Sequence, residues 1–225
     1  MDLSPEDIRQ IAIRVFVLVV SVCFHEFGHA IMADRLGDDT PRRQGRVTLN
    51  PLAHADPIGT LLLPVVSAIY AAGGHSVGGF GWGKPVQWQP SRIARKWRMN
   101  TAKILVAIAG PSMNIVLAVL IAGIQTILIK QDVIAPLGQA SLIMFYAVGT
   151  NFILFFFNLV PAPPLDGGHV AEGFMPYRHR TKFEQFARFG PFIVLAIVLI
   201  SPLAQIFIIP ADFCAEKLYT LMGLI

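Results

Sequence analysis

The sequence predicts an all-α polytopic membrane protein, with about four transmembrane helices and a re-entrant or strand-like segment after the first. Three observations carry that prediction. Hydrophobic residues make up 54% of the chain and charged residues only 14%, whereas a soluble domain carries about 25% charged residues. Apolar runs long enough to cross a hydrocarbon core of about 30 Å recur along the chain. Lys and Arg gather between those runs, as positive-inside bias requires. That bias accounts for the net charge of +4, so membrane lipid is the expected surrounding and no nucleic-acid partner is expected. At 225 residues the chain reads as a single membrane-embedded domain, with its core over about 8–175 and a C-terminal helix and tail over 190–225.

Ser4, Pro5 and Asp7 form a helix start, with proline at the first helical position. The acidic N-terminus gives no sign of a cleavable signal peptide. The first span then runs from about residue 8 to 34, with Arg9 and Arg14 at its entry, and Asp34-Arg35-Leu36-Gly37 ends it. Residues 38–57 are polar and turn-rich, with Asn50-Pro51 and Asp56-Pro57. The apolar run Ile58 to Ala72 would reach about 22 Å as a helix, short of a crossing, and contains Pro64. A re-entrant element fits it. Gly73 to Val86 is glycine-rich and aromatic, either a strand or a flexible loop. Further spans are expected over Ile104–Ile129, Ala140–Val160 and about Phe192–Ile209, the last with Pro202 inside it. The tail from Asp212 lies on the surface or packs back on the bundle. Two cysteines, Cys23 and Cys214, make no disulfide framework, and Cys23 is read as facing lipid or core.

Segment 75–103 carries six Lys and Arg, segment 161–190 four and segment 34–57 four, against Lys130 alone in 130–139. The first three therefore face the cytoplasm and the last faces outward.

Inside the first span lies His25-Glu26-Phe27-Gly28-His29. Residues four apart share a helix face, so both imidazoles point one way, the spacing that two ligands of one zinc ion need. Glu26 lies one step round, placed to act on a metal-bound water without being a ligand. Ionisable groups are expensive within a bilayer and mark function there, although this short pattern alone also arises by chance. Pro161-Ala162-Pro163-Pro164 cannot continue the preceding helix, so Asp166 is held on a stiff, extended segment at the cytoplasmic end of its span. By itself Asp166 reads as a turn aspartate before two glycines. Together with the two histidines it completes a His-His-carboxylate sphere with one position open. His54, His75, His169 and His179 lie in polar segments and are read as solvent-facing rather than ligating.

These motifs, with Ala109-Gly110-Pro111-Ser112-Met113-Asn114 and Asn158-Leu159-Val160-Pro161 leading into Leu165-Asp166-Gly167, resemble the site-2 protease family of intramembrane zinc metalloproteases over about residues 10–175. Arg46-Val47-Thr48-Leu49-Asn50-Pro51 and Gly81-Trp82-Gly83-Lys84-Pro85-Val86 look like its compact prokaryotic branch, without a PDZ domain. The resemblance implies one zinc per chain on His25, His29 and Asp166, with Glu26 as catalytic base. It implies an enzyme of a prokaryotic cell membrane, its active site toward the cytoplasm. Its substrate would be a transmembrane protein, often cut once already, hydrolysed within or near its membrane segment. Asn158 and Asn114 become candidates for substrate-backbone or oxyanion contact, or else for helix-to-helix hydrogen bonds. A cleaved helix must unwind, and segment 73–86 is placed to pair with it as an edge strand. A metal transporter, or an inactive homologue that binds membrane helices, is the rival reading. Transport favours several ligand sets in series, whereas this sequence concentrates its candidates at one level.

Overall fold

The computed structural model describes residues 4–72, 81 and 83–224. Helix α1 runs over Pro5–Arg35. It starts as the sequence requires: the Asp7 N–H donates to Ser4 Oγ (3.1 Å) and the Ser4 N–H donates back to the Asp7 carboxylate (3.0 Å), a reciprocal capping box. At 31 residues it extends about 46 Å, ample for a crossing. Two short helices follow, α2 (Thr40–Arg43) and α3 (Pro51–His54). The apolar run after them forms a π-helical turn over Pro57–Leu62 and then α4 (Leu63–Ala72). The Asp56 carboxylate accepts from the N–H groups of Ile58 (3.0 Å) and Gly59 (2.7 Å), capping that turn. The pair is too short to cross and leans on α1.

Residues 73–80 and 82 lie outside the described residues, so the edge strand expected over 73–86, and His75 with it, can be followed only at Gly81 and from Gly83 onward. There the backbone over 83–89 forms neither helix nor sheet, and no strand occurs among the described residues. Two long apolar helices come next, α5 (Met99–Lys130, 32 residues) and α6 (Gln139–Asn158, 20 residues). With α1 they are the helices long and apolar enough to span a membrane. After α6 the chain turns through the prolines into α7 (Asp166–Phe174), then α8 (Arg180–Ala187), α9 (Gly190–Leu199) and α10 (Ser201–Met222).

The final span corrects the sequence reading. The single helix expected over residues 192–209 is two, α9 and α10, meeting at 72°. Ile200 is extended between them (φ −95°, ψ 97°), and Pro202 falls in the first turn of α10, where its missing N–H costs nothing. Asp212, Glu216 and Lys217 dilute the apolar signal beyond that point, yet the helix continues to Met222. It packs back on the bundle: Ala211, Ala215 and Tyr219 join Ala118 and Ala122 of α5 and Val148 and Phe152 of α6 in one buried cluster. Alanines at these contacts let the helices approach closely, which supplies the packing that a lipid solvent cannot drive hydrophobically. Phe16, Ile124, Ile127, Leu142 and Phe145 point outward and remain exposed, as side chains facing acyl tails do.

Polar groups inside this bundle are paired. The Tyr219 hydroxyl donates to Gln125 Oε1 (2.6 Å), and Gln125 Nε2 donates to Ser141 Oγ (2.7 Å). Tyr219→Phe strands a buried carbonyl oxygen at the cost of about 1 kcal/mol. We expect the thermal midpoint of detergent-solubilised protein to fall by about 2–4 °C; an unchanged midpoint would show that the bond contributes nothing.

The C-terminal third of α1, the N-terminal third of α5, the C-terminal end of α6 and all of α7 meet at one end of the bundle. The cavity lies there.

Candidate metal centre

His25 and His29 sit one turn apart on α1, and Asp166 opens α7. Their ligand-type atoms converge: His25 Nε2 is 3.1 Å from His29 Nε2, and Asp166 Oδ2 is 3.1 Å from the first and 3.3 Å from the second. Two segments distant in sequence thus meet, at the same end of the bundle. Among the described residues this is the one group of three or more His, Cys, Asp or Glu side chains close enough to share a metal ion.

The hydrogen bonds behind the histidines decide what those atoms are. His29 Nδ1 lies 2.8 Å from the Val106 carbonyl, which can only accept, so Nδ1 carries the proton. His25 Nδ1 lies 2.8 Å from Asn114 Oδ1. That amide is oriented by its other end, since Asn114 Nδ2 donates to the Asn151 Oδ1 (2.9 Å) and the Ser21 carbonyl (3.2 Å). Asn151 is oriented in turn by donating to Ser21 Oγ and the Ala147 carbonyl, both at 2.9 Å. His25 Nδ1 therefore also donates. As neutral imidazoles the two rings would present bare Nε2 lone pairs, facing a carboxylate oxygen that has no hydrogen-bond donor. Three acceptors so close repel one another unless positive charge lies among them. One proton bridges one pair and leaves the third atom facing a lone pair; a divalent cation serves all three. Two nitrogens and one carboxylate oxygen suit zinc with a position left open.

Glu26, one step along α1, is buried and is not one of the converging group: its Oε2 accepts the Val86 N–H (3.0 Å). The backbone at Gly83 presses on the same helix, where an added Cβ would lie 2.5 Å from Val22 Cγ1 and 3.3 Å from Glu26 Oε1. Small residues also set the spacing of α1 and α5. A Cβ on Gly28 would meet the Ala109 carbonyl oxygen at 2.5 Å, and one on Gly110 would lie 2.3 Å from His29 Nε2. Gly167 and Gly168 seat the start of α7 on the chain leaving α6, against the carbonyls of Leu159 and Val160 and the Pro163 nitrogen. Farther along α7 the Lys103 ammonium of α5 pairs with Glu172 at 2.7 Å.

All four principal candidates, His25, Glu26, His29 and Asp166, line one cavity of about 680 Å³. Asn158 lines it too, its Nδ2 donating to the Leu154 carbonyl at 2.9 Å. Asn114 does not face it: this side chain lies behind His25 with no exposed surface. His169 lines the cavity wall and, like His179, is exposed, as read from the sequence. His54 corrects that reading. It is 1% exposed, its Nε2 donating to the Thr48 carbonyl at 2.9 Å, and burial pushes its pKa below the usual imidazole value, keeping it neutral.

Comparison with known proteins places this architecture. A model of Peptidase family M50 matches residues 125–201, from late α5 through Asp166 to the start of α10. The Bacillus subtilis (strain 168) protein named "Putative zinc metalloprotease YwhC" is 38% identical over 195 residues, 85% of this chain and 81% of its own. The chain belongs to peptidase family M50. It is a member of the site-2 protease family. This M50 chain is also 32% identical over 206 residues to "Putative zinc metalloprotease Rip2" of Mycolicibacterium smegmatis, covering 89% of this chain and 73% of that one. A Rip2 of Mycobacterium tuberculosis (strain H37Rv) is 34% identical over 172 residues, 73% of this chain and 60% of its own. No solved structure matches the M50 chain at a significant level.

Several residues at this M50 centre escape sequence reasoning. Ser21 and Asn151 carry no local pattern; the one available signal is a polar side chain within an apolar span, which applies to both. The Val106 carbonyl and the Val86 N–H are backbone groups and leave no trace in residue type. Gly110 is visible as a glycine in a motif, but its reason, a helix passing directly beneath two imidazoles, appears only in three dimensions.

Proposed function

We propose that this M50 chain is a zinc-dependent endopeptidase that hydrolyses peptide bonds within or near transmembrane segments of other membrane proteins. The carrying observation is the convergence of two bare imidazole nitrogens and one carboxylate oxygen beside the Glu26 carboxylate, in a cavity at one end of a membrane-type bundle. His25, His29 and Asp166 would hold one zinc ion, the metal in the printed names of the relatives. Bound zinc supplies Lewis acidity, bringing a water's pKa to about 7 and polarising a carbonyl. Glu26, held through Oε2, takes the proton from the attacking water and returns it to the leaving amine nitrogen. Asn158 reaches into the cavity from the end of α6 and is assigned to the substrate backbone or its developing oxyanion. Asn114 is assigned instead to holding the His25 ring and tautomer.

A helix bound for cleavage has to unwind, and its freed N–H and C=O groups need partners that lipid does not offer. The non-helical backbone from Gly83 lines the cavity wall, and as the edge strand proposed over 73–86 it would pair with those groups. The basic segments 34–57, 75–103 and 161–190 flank the cavity end, whereas the far loop carries only Lys130. We therefore assign the site to the cytoplasmic side of a prokaryotic cell membrane, in keeping with bacterial relatives.

The test is reconstitution in proteoliposomes with candidate single-span proteins. Cleavage in or beside the span, abolished by a zinc chelator, is expected, with no metal flux across the vesicle. Flux without proteolysis would overturn this reading in favour of a transporter. Asn114→Ala should weaken zinc affinity by about 10–100-fold, the usual effect of losing a ligand's hydrogen-bond partner. A competition titration that returned wild-type affinity would contradict the tautomer assignment.

A further inference from the structure

The polar stretch after α2 takes no part in metal chemistry, yet it holds some of the most deeply buried polar side chains in the molecule. Arg46 is 7% exposed and His54 1%. Burying a guanidinium costs several kcal/mol unless it is well paired, and among the described residues Arg46 forms no ion pair with a carboxylate. What it does form is a fork. Its Nη1 donates to the Ala53 carbonyl and to the Lys84 carbonyl (3.4 Å), joining two segments far apart in sequence. The Lys84 N–H donates to the His54 carbonyl at 2.9 Å. Both backbone groups of Lys84 are therefore held by one loop. That loop is itself closed by the His54 side chain on the Thr48 carbonyl (2.9 Å) and tied to α2 by the Arg46 N–H on the Pro41 carbonyl (2.8 Å).

Lys84 is thus fixed at both backbone groups, and two residues further along the same short segment the Val86 N–H meets Glu26 Oε2 at 3.0 Å. Close packing leaves the arm no alternative course. At Gly81 a Cβ would lie 2.6 Å from the Gly59 carbonyl oxygen, and at Gly83 one would lie 2.5 Å from Val22.

We propose that Arg46 and His54 are positioning residues for Glu26, acting through the Lys84–Val86 backbone. The inference deepens the peptidase reading and rests on it. A loop outside the metal-ligand set becomes the bracket that sets the orientation of the catalytic carboxylate, and the Arg46–Pro51 motif acquires a reason beyond turn formation.

The experiment uses the full chain in proteoliposomes with a single-span substrate that the wild type cleaves. Arg46→Met keeps the apolar stem and removes every donor. It should lower kcat by about 10–100-fold, the scale of an ångström-sized misplacement, with KM within about threefold and zinc content unchanged. His54→Leu should act in the same direction, while His54→Gln, whose amide nitrogen replaces Nε2 as donor, should restore most of kcat. Val86→Pro deletes the terminal N–H directly, so the Arg46→Met/Val86→Pro pair should be no slower than the worse single variant. Additive losses, unchanged kcat in Arg46→Met, or joint loss of zinc and activity would overturn the proposal. Hydrogen exchange supplies a readout independent of catalysis: amides over 83–89 should exchange faster in Arg46→Met, and an unchanged rate would also overturn it. A wild type that cleaves nothing counts against the peptidase reading, while the exchange comparison still judges the bracket.

Discussion

Glu26→Gln should keep one zinc per chain and lose cleavage by about 10³-fold, within the range general acid–base catalysis supplies. The substitution is nearly isosteric, and the amide oxygen can still accept the Val86 N–H that now reaches Oε2. None of the converging ligand atoms belongs to Glu26, so metal content should not move. What disappears is the carboxylate assigned to take a proton from the nucleophile and return it to the amine. Comparing zinc by mass spectrometry with turnover of a single-span substrate separates the outcomes. A variant that retains more than about a tenth of wild-type kcat would remove Glu26 from the role of base. One that loses zinc in step with activity would make it structural.

Gly110→Ala should be as damaging through the opposite route, by emptying the centre. Its Cβ would stand 2.3 Å from His29 Nε2, 2.4 Å from His29 Cε1 and 2.9 Å from His25 Nε2. Neither ring can simply step aside. His29 is pinned by the Val106 carbonyl and His25 by Asn114, so relief means breaking one of those bonds and turning a lone pair away. We expect bound zinc to fall below about a tenth of stoichiometric and activity to fall with it. Gly123→Ala and Gly149→Ala are the controls, since a Cβ at either meets nothing within 4 Å. Each should keep full zinc and raise helix stability by about 0.5–1 kcal/mol. A Gly110→Ala protein with undiminished zinc would show that the two rings are freer than their hydrogen bonds imply.

The sequence made some of this legible and hid the rest for physical reasons. His25 and His29 could be paired because helical periodicity is a local rule, and the prolines before Asp166 announced the end of a span, although the exit is a turn that opens α7 at Asp166 rather than an extended segment. Hydropathy placed α1, α5 and α6, but it misread the last span, where Pro202 breaks the run and three charged residues mask the continuation into α10. The polarity of its segment predicts a solvent-facing His54. That segment instead folds on itself, with His54 Nε2 on the Thr48 carbonyl and the Ala53 and His54 carbonyls held by Arg46 and Lys84, and so buries the ring. Asn114 was visible only as a motif residue, and its reach toward Ser21 and Asn151 depends on three helices meeting. Hydrogen bonds between residues this far apart leave no periodic trace in composition or spacing.

The account depends on α1 and α7 jointly holding one divalent cation, and metal analysis of purified Asp166→Ala beside the wild type tests that most directly. We predict about one zinc per wild-type chain and less than about a tenth of that in the variant, which loses the only anionic donor of the set. An Asp166→Ala protein that keeps its full complement of zinc would contradict it.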